Sequence, residues 1–529
     1  MFPPSTGRPT LWLAATSILG ASAAAGVGLM ALGAPGAAQL RVVSGLAALG
    51  CALALAVTIR GRTGLPRGAW WLAAGIVGSW VFAFFALFAI SFYLRFPVDF
   101  LNFWEGDFIG DIIKLRAGIP LYTEPTDNNS SVYTPGAQLL TYGLAKLSGV
   151  ETSIPGLRVI QFSYAVLAAL VVTSASDLLA KRFLGPHDYT GRPLWLALWF
   201  PLLFLAATEP RFGYNIHALH PDSLTLLISA IAFWLLCRYA VTRSTWSFIG
   251  LALIPAVGFW SKQSLLIWGA LTGLYLIWPG RSAVRRTVAY GTLSLALLVV
   301  SVAILFRVGG PQTSFFIFGV LGAKTVGMAR SLDAFLTAGG FAAMAVAAFW
   351  LLVARDRSRE GLALWGVSAI LFVVESYTTG IGWQKNHLGP GVLIAMTWFV
   401  AALPRAFRLA TDQRTWSGLA QGSFVAGLLL LVAGLGLTRD PKNGVPADTG
   451  RYIAAIEREF DGMDPRDVLL DRGNWVYVAD TVLMMDRASS VQLWVGKNQP
   501  TITRELLVGT IERFQERRYR RILVRNLDG

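Results

Sequence analysis

Long apolar runs alternate with short polar loops along most of the chain. The runs fall near residues 11–33, 39–58, 70–92, 157–180, 193–208, 221–240, 246–261, 263–279, 287–306, 335–354, 361–379, 388–403 and 416–437. Crossing the hydrocarbon core of a bilayer as a helix takes about 17–25 such residues. Helices satisfy their own backbone hydrogen bonds in lipid, which open strands do not. The pattern predicts an α-helical polytopic membrane protein of about 13 transmembrane helices, with each half of the 246–279 pair short for a span. After residue 438 the pattern changes. RYIAAIEREF at 451–460 and the stretch 503–519 have helical spacing, while DVLL at 467–470 and RILV at 521–524 read as short buried strands. The expected organisation is a transmembrane domain over 1–437, including a long loop at 93–156, and a small extracytoplasmic α/β domain over 438–529.

The polar positions between runs carry an orientation. Arg60, Arg62 and Arg67 form one cluster, Lys181 and Arg182 a second, and Arg238 and Arg243 a third. Arg281, Arg285 and Arg286, then Arg355, Arg357 and Arg359, then Arg405, Arg408 and Arg414 complete the set. Short loops rich in Lys and Arg stay cytoplasmic. Thirteen crossings put every cluster and the amino terminus on that side. The opposite side receives 93–156, 209–220, the Lys262 turn, 307–334, 380–387 and the tail.

Composition narrows the class. Hydrophobic residues make up 54% and charged residues 14%, where soluble domains run to about 25% charged. The net charge of +15 resides in the orienting loops, without a basic tract interleaved with aromatics, so nucleic acid is not an expected partner and the lipid bilayer is. Cys51 and Cys237 both lie in apolar runs, which gives no disulfide framework. The long first run, closely followed by another, does not read as a cleavable signal peptide. No usable internal repeat appears, and this counts against a transporter.

The 93–156 loop holds the densest candidate chemistry. Asp99, Glu105, Asp107 and Asp111 fall within thirteen positions, among Phe100, Phe103, Trp104 and Phe108. Apolar neighbours disfavour an ionised carboxylate, which is how a general base is tuned. On a helix Asp107 and Asp111 share a face and Glu105 points elsewhere. Phe108, Ile112 and Leu115 predict a helix over 107–116 along the membrane surface, with Lys114 and Arg116 toward headgroups and Gly118 and Pro120 ending it. Asp222 enters an apolar run, where an ionisable group is costly and needs a partner such as Arg211 or a histidine. His217, His220 and Asp222 fall short of a metal motif, so no metal ligand is assigned and a divalent cation is left open as a cofactor. Glu375, inside a run, reads as a buried polar partner. Lys262 reads as a phosphate-binding cation or as a snorkelling lysine at a helix end.

Three segments of the loop, Trp104-Glu105-Gly106, Gly118-Ile119-Pro120-Leu121-Tyr122 and Tyr133-Thr134-Pro135, resemble the first extracytoplasmic loop of the GT-C superfamily of membrane glycosyltransferases. Within it they are most similar to the bacterial mannosyltransferase and dolichyl-phosphate-mannose–protein mannosyltransferase group. His220-Pro221-Asp222-Ser223-Leu224 is similar to that family's Arg-x-Asp-Ser-Leu segment, with His in place of Arg. Lys262-Gln263-Ser264 and Gln384-Lys385-Asn386-His387 resemble two further turns, and the likeness runs over about residues 93–403. It implies an inverting glycosyltransferase that moves a sugar from a polyprenyl-phosphate-linked donor to a hydroxyl acceptor on a glycolipid, polysaccharide or protein. The site of action would be the outer face of the cytoplasmic (inner) membrane. The loop acid would be the base, Glu105 or Asp107, and Lys262 with Lys385 or Arg211 would hold the donor phosphate. Asp99, Asp111, His220, Asp222, Gln263 and Asn386 would support the site, and Trp104, Tyr122 and Tyr133 would shape it around the sugar. The rival reading is a membrane transporter or lipid-linked sugar flippase that uses Asp222 and Glu375 as coupling groups.

Overall fold

The structure, a computed structural model, describes residues 69–95, 105–125, 130, 132–185, 189, 191–213, 219–278, 281–320, 322, 326–381, 385–411 and scattered positions beyond. The runs at 11–33 and 39–58 lie outside the described residues, as do most positions of 416–437, 451–460 and 503–519. Every other apolar run forms a helix. Among the described residues, seven helices are long and apolar enough to cross a membrane: Leu72–Ser91, Ile154–Phe183, Asp222–Thr242, Val284–Gly309, Gly339–Asp356, Arg359–Thr378 and Lys385–Leu409. Arg192–Ala207, Thr245–Ser261 and Gln263–Ile277 are shorter apolar helices.

In chain order we label α1 Ala69–Arg95, α2 Glu105–Ala117, α3 Gly136–Leu147, α4 Ile154–Phe183, α5 Arg192–Ala207, α6 Asp222–Thr242 and α7 Thr245–Ser261. They are followed by α8 Ile267–Ile277, α9 Arg281–Gly309, α10 Met328–Thr337, α11 Gly339–Ala348, α12 Arg359–Thr378 and α13 Gly389–Thr411. Local signals fix several starts. Ser153 accepts from Gly156 N at 3.2 Å before α4, and Ser358 accepts from Gly361 N at 3.0 Å before α12, each capping an otherwise unpaired amide. The helices α6 and α13 are the most enclosed, and each packs against α4. By contrast α9 leaves Val288, Leu295, Val299 and Ile304 exposed, an apolar face suited to lipid.

Among the described residues, side-chain contacts gather four of the six basic clusters, those around Arg182, Arg243, Arg357 and Arg405, at one end of the bundle. Arg182 lies 3.5 Å from Asp356, Arg243 pairs with Glu360, and Arg405 donates to Leu351 O at 2.6 Å. At the same end Asp177 binds Arg192 at 2.7 and 2.9 Å, Lys181 at 2.6 Å and the Tyr189 hydroxyl at 2.8 Å. The segments around residues 105–135, 219–222, 262 and 386 meet at the opposite end.

The first loop folds into this second end instead of lying on a surface. Phe108, Ile109, Ile112, Ile113 and Lys114 of α2 are all buried. This corrects the expectation that Lys114 faces headgroups: its ammonium donates to Leu121 O at 2.8 Å and fastens the returning chain. The end of α2 comes where the sequence places it. Gly118 takes φ +69°, and Ile119 N donates to Lys114 O at 2.9 Å, closing a Schellman turn that favours glycine. Tyr122 then enters a second apolar cluster with Phe259, Leu305, Phe316, Ile317 and Val320.

In the tail, described residues form a three-stranded parallel sheet of order β2-β1-β3, made of β1 Val468–Leu470, β2 Asp486–Arg487 and β3 Arg521–Leu523. Val468 is paired with Arg521 and Leu470 with Leu523. Here β1 and β3 fall within the two segments read as strands.

Candidate functional site

The opposite end of the bundle is organised around one carboxylate. Asp222 opens α6, where the helix N-terminus favours an anion. The 3-10 turn Gln263–Leu266 separates α7 from α8, and Lys262, with extended backbone at φ −163° and ψ 133°, precedes it. Asn386 comes from the 3-10 turn Lys385–Leu388 before α13. The Asp222 Oδ1 lies 2.7 Å from Lys262 Nζ and 3.0 Å from His220 Nδ1, and its Oδ2 accepts from Asn386 Nδ2 at 3.1 Å. Asp222, His220 and Lys262 are buried, so the charges of Asp222 and Lys262 are compensated within the protein rather than by water.

The returning arm of the first loop docks onto this cluster. Gln263 donates to Val132 O at 3.3 Å, and the Lys262 ammonium sits 5.5 Å from the centre of the Tyr133 ring. The rings of Tyr133 and His220 meet edge-on at 5.2 Å. Burial, reinforced by the carboxylates of Asp222 and Asp107, holds the Tyr133 phenol well above its ordinary range. It therefore stays protonated and available as a donor. Tyr122 supports the arm from beneath, donating to Tyr133 O at 2.6 Å. Burial, reinforced by Asp111, likewise raises the Tyr122 phenol.

A cavity of about 260 Å³ opens beside the cluster. Asp222, Lys262, Gln263, Glu375, Asn386 and His387 give it polar character, while Phe212, Leu226, Leu265 and Pro390 give it apolar walls. A pocket of this mixed lining, with few convergent polar groups, suits a small polar ligand carried on an apolar body.

The other residues singled out in the sequence separate into groups. Glu105 is fully buried: Arg158 Nε donates to Oε1 at 2.8 Å and Nη2 to Oε2 at 2.5 Å, while Leu219 N donates to Oε1 at 2.9 Å. Arg158 also reaches Tyr93 O at 3.0 Å. Asp111 is buried and accepts from Gln138 at 3.0 Å, whereas Asp107 is half-buried. Lys385 turns to α10, lying 2.9 Å from Asp333 and 2.5 Å from Thr337, off the cavity wall. Arg211 pairs with Glu209 at 2.7 Å, so the histidine and not the arginine is the partner of Asp222. Asp99, Trp104, His217 and Gln384 lie outside the described residues. Arg158 was not singled out. Its signal was a guanidinium at the start of the 157–180 run, where an ionisable group requires a partner. Among the described residues no group of three or more His, Cys, Asp or Glu side chains is arranged to hold a metal ion.

Residues 197–306, which contain both Asp222 and Lys262, match the family described as dolichyl-phosphate-mannose-protein mannosyltransferase. No curated protein matches the chain in sequence. Among solved structures, ArnT from Cupriavidus metallidurans in the apo state is 14% identical, with a TM-score of 0.51 over 82% of this chain and 88% of that one. The structure of ArnT bound to undecaprenyl phosphate gives 14% identity and a TM-score of 0.49 over 80% and 88%. The Archaeoglobus fulgidus oligosaccharyltransferase in the apo form gives 9% and 0.47 over 78% and 64%. The likeness to apo ArnT is one of fold. The family match is confined to residues 197–306.

Proposed function

We propose that this chain is an inverting glycosyltransferase that takes a sugar from a polyprenyl-phosphate-linked donor and transfers it to a hydroxyl acceptor at the outer face of the cytoplasmic membrane. The observation that carries this reading is the Asp222–Lys262–Asn386 cluster on the wall of a cavity, with Asp222 and Lys262 inside the segment that matches a family named for a dolichyl-phosphate-mannose donor. Positive-inside charge supports the orientation, because the cavity lies at the end opposite the arginine clusters. In this reading the amino terminus is cytoplasmic, the full chain has about 13 spans, and the tail is a small α/β domain on the same side as the cavity.

In the reaction the bond from the anomeric carbon to the donor phosphate breaks, and the acceptor oxygen bonds to that carbon from the opposite face. The acceptor proton passes to a carboxylate, and the phosphate leaves as a lipid monoester without needing a proton. Lys262, fixed by Asp222, faces the charge that develops on phosphate. Asp107 is the base in this reading. It is a half-buried acid of α2, whereas both oxygens of Glu105 are already bound to Arg158. Glu105 then holds the loop in place instead of meeting the acceptor. A glycolipid, polysaccharide or protein hydroxyl fits this chemistry, with mannose or another hexose or pentose transferred.

Membranes from cells expressing the chain supply native acceptors and allow a direct test. Given polyprenyl-phosphate-linked mannose, glucose or arabinose, wild-type membranes should consume one donor faster than membranes lacking the chain. Asp107→Asn should slow this by about 100-fold or more, the scale of a lost general base. Lys262→Ala should slow it comparably. Full activity in both variants would sink the site assignment, and failure of the wild type on every donor would sink the reaction.

A further inference from the structure

The cavity holds two carboxylates in different situations. Asp222 is committed to the protein, with Lys262 and His220 at Oδ1 and Asn386 at Oδ2. Glu375, near the end of α12, is half committed. Its Oε2 accepts from Gly391 N at 2.6 Å, in the first turn of α13, where an amide has no acceptor within its own helix. Gly391 permits this approach, since a Cβ there would meet Glu375 Oε2 at 2.8 Å and Phe372 Cα at 3.2 Å. The other oxygen, Oε1, accepts no hydrogen bond from any described residue, and the side chain lines the cavity together with Lys262.

Glu375 is half-buried, so Oε1 is open to water or to a donor on a ligand that enters the cavity. A capping role alone accounts for Oε2 and leaves Oε1 unexplained. Sugars supply the missing chemistry: a hydroxyl donates to a carboxylate in a directional, charge-assisted bond. A phosphate does not, since it is an acceptor that a second anion repels. The apolar walls at Phe212, Leu226 and Pro390 match the less polar face of a pyranose or furanose ring.

We infer that Glu375 is the sugar-recognising residue of this cavity, with Oε1 accepting from a ring hydroxyl of the donor while Oε2 caps α13. The inference rests on the proposed use of a lipid-phosphate sugar. It assigns sugar selectivity to the junction of α12 and α13 and leaves phosphate binding to Lys262.

The test compares full-length wild type and Glu375→Gln in nanodiscs. Glutamine keeps one carbonyl oxygen to cap Gly391 N but presents an amide donor toward the ligand. Affinity is measured for undecaprenyl phosphate, which carries no sugar, and for undecaprenyl-phosphate-linked mannose, glucose and arabinose. Wild type should prefer at least one sugar-bearing lipid over the bare phosphate. Glu375→Gln should lose that preference by about tenfold or more, the scale of a hydrogen bond to a charged group, with its melting temperature and its affinity for undecaprenyl phosphate retained. Equal losses for bare and sugar-bearing lipids, or none for either, would overturn the inference while leaving the proposed donor class intact. A wild-type protein that binds no polyprenyl phosphate would remove the donor class itself. Glu375→Ala, which also deletes the cap, should lower the melting temperature; loss of sugar preference in that variant but not in Glu375→Gln would show that only the cap matters.

Discussion

A guanidinium and a carboxylate buried together stabilise each other only while both are present. Arg158 and Glu105 meet in a two-point contact with almost no exposure, and Glu105 also receives the amide of Leu219, directly before His220. Breaking such a pair leaves a buried charge and costs about 3–5 kcal/mol, whereas replacing both partners with apolar groups is often neutral. Arg158→Met should therefore sharply lower the unfolding temperature of the detergent-purified protein, and Arg158→Met with Glu105→Leu should recover much of the loss. Thermal melts of the two variants check both outcomes. The pair also shows where the sequence was legible at this scale. His220, Asp222 and Lys262 stand out because polar residues interrupt apolar runs at span ends, Gln263 and Asn386 through the family resemblance alone, and the fold brings them together. Lys385 and Arg211 had the same signature, but a span-end position does not say which way a side chain turns, and each is held by a local acid. Arg158 was hidden by the apolar run around it.

Among the elements, the first loop and α7 meet through backbone contact. A Cβ on Gly136, at the start of α3, would come within 2.5 Å of Trp260 O, an atom that has no rotamer to change. Gly136→Ala should then push α3 off α7 and cost about 1–3 kcal/mol, as overpacking does. Gly118→Ala is the useful contrast. Nothing lies within 4 Å of its Cβ position, so the cost is that of a left-handed residue alone, about 1 kcal/mol. Unfolding measurements should rank Gly136→Ala as the more damaging, and the docking of the Tyr133 arm should suffer with it. The helix over 107–116 was visible in the apolar spacing, but its burial was missed for a traceable reason. The stripe through Phe108, Ile112 and Leu115 reads as interfacial when taken alone, and the adjacent Ile109 and Ile113 widen it. Two neighbouring stripes make a helix apolar over more of its circumference, which marks an enclosed helix and not an interfacial one.

For the whole molecule, the alternation of runs and arginine clusters is the most legible feature, and contacts such as Arg182 with Asp356 bring distant clusters to one end. The proposed orientation makes a direct prediction. In a background without Cys51 and Cys237, Arg357→Cys should react with an impermeant maleimide only after the membrane is opened. Glu124→Cys, exposed on the first loop, should react in intact spheroplasts; the reverse labelling pattern would invert the topology. Length was harder to read than position. The helix α7 has 17 residues, about 25 Å at 1.5 Å per residue, against a hydrocarbon core of about 30 Å. The segment Gln263–Ile277 that follows is shorter still. A bilayer meeting two short helices in succession thins to match them. If each crosses as proposed, headgroups and water would be drawn inward along this side of the bundle, toward the turn that carries Lys262. In the proposed topology and function, the mismatch would lower the desolvation cost of keeping a lysine there, and it would shorten the distance a donor's phosphate must leave its own layer to reach it.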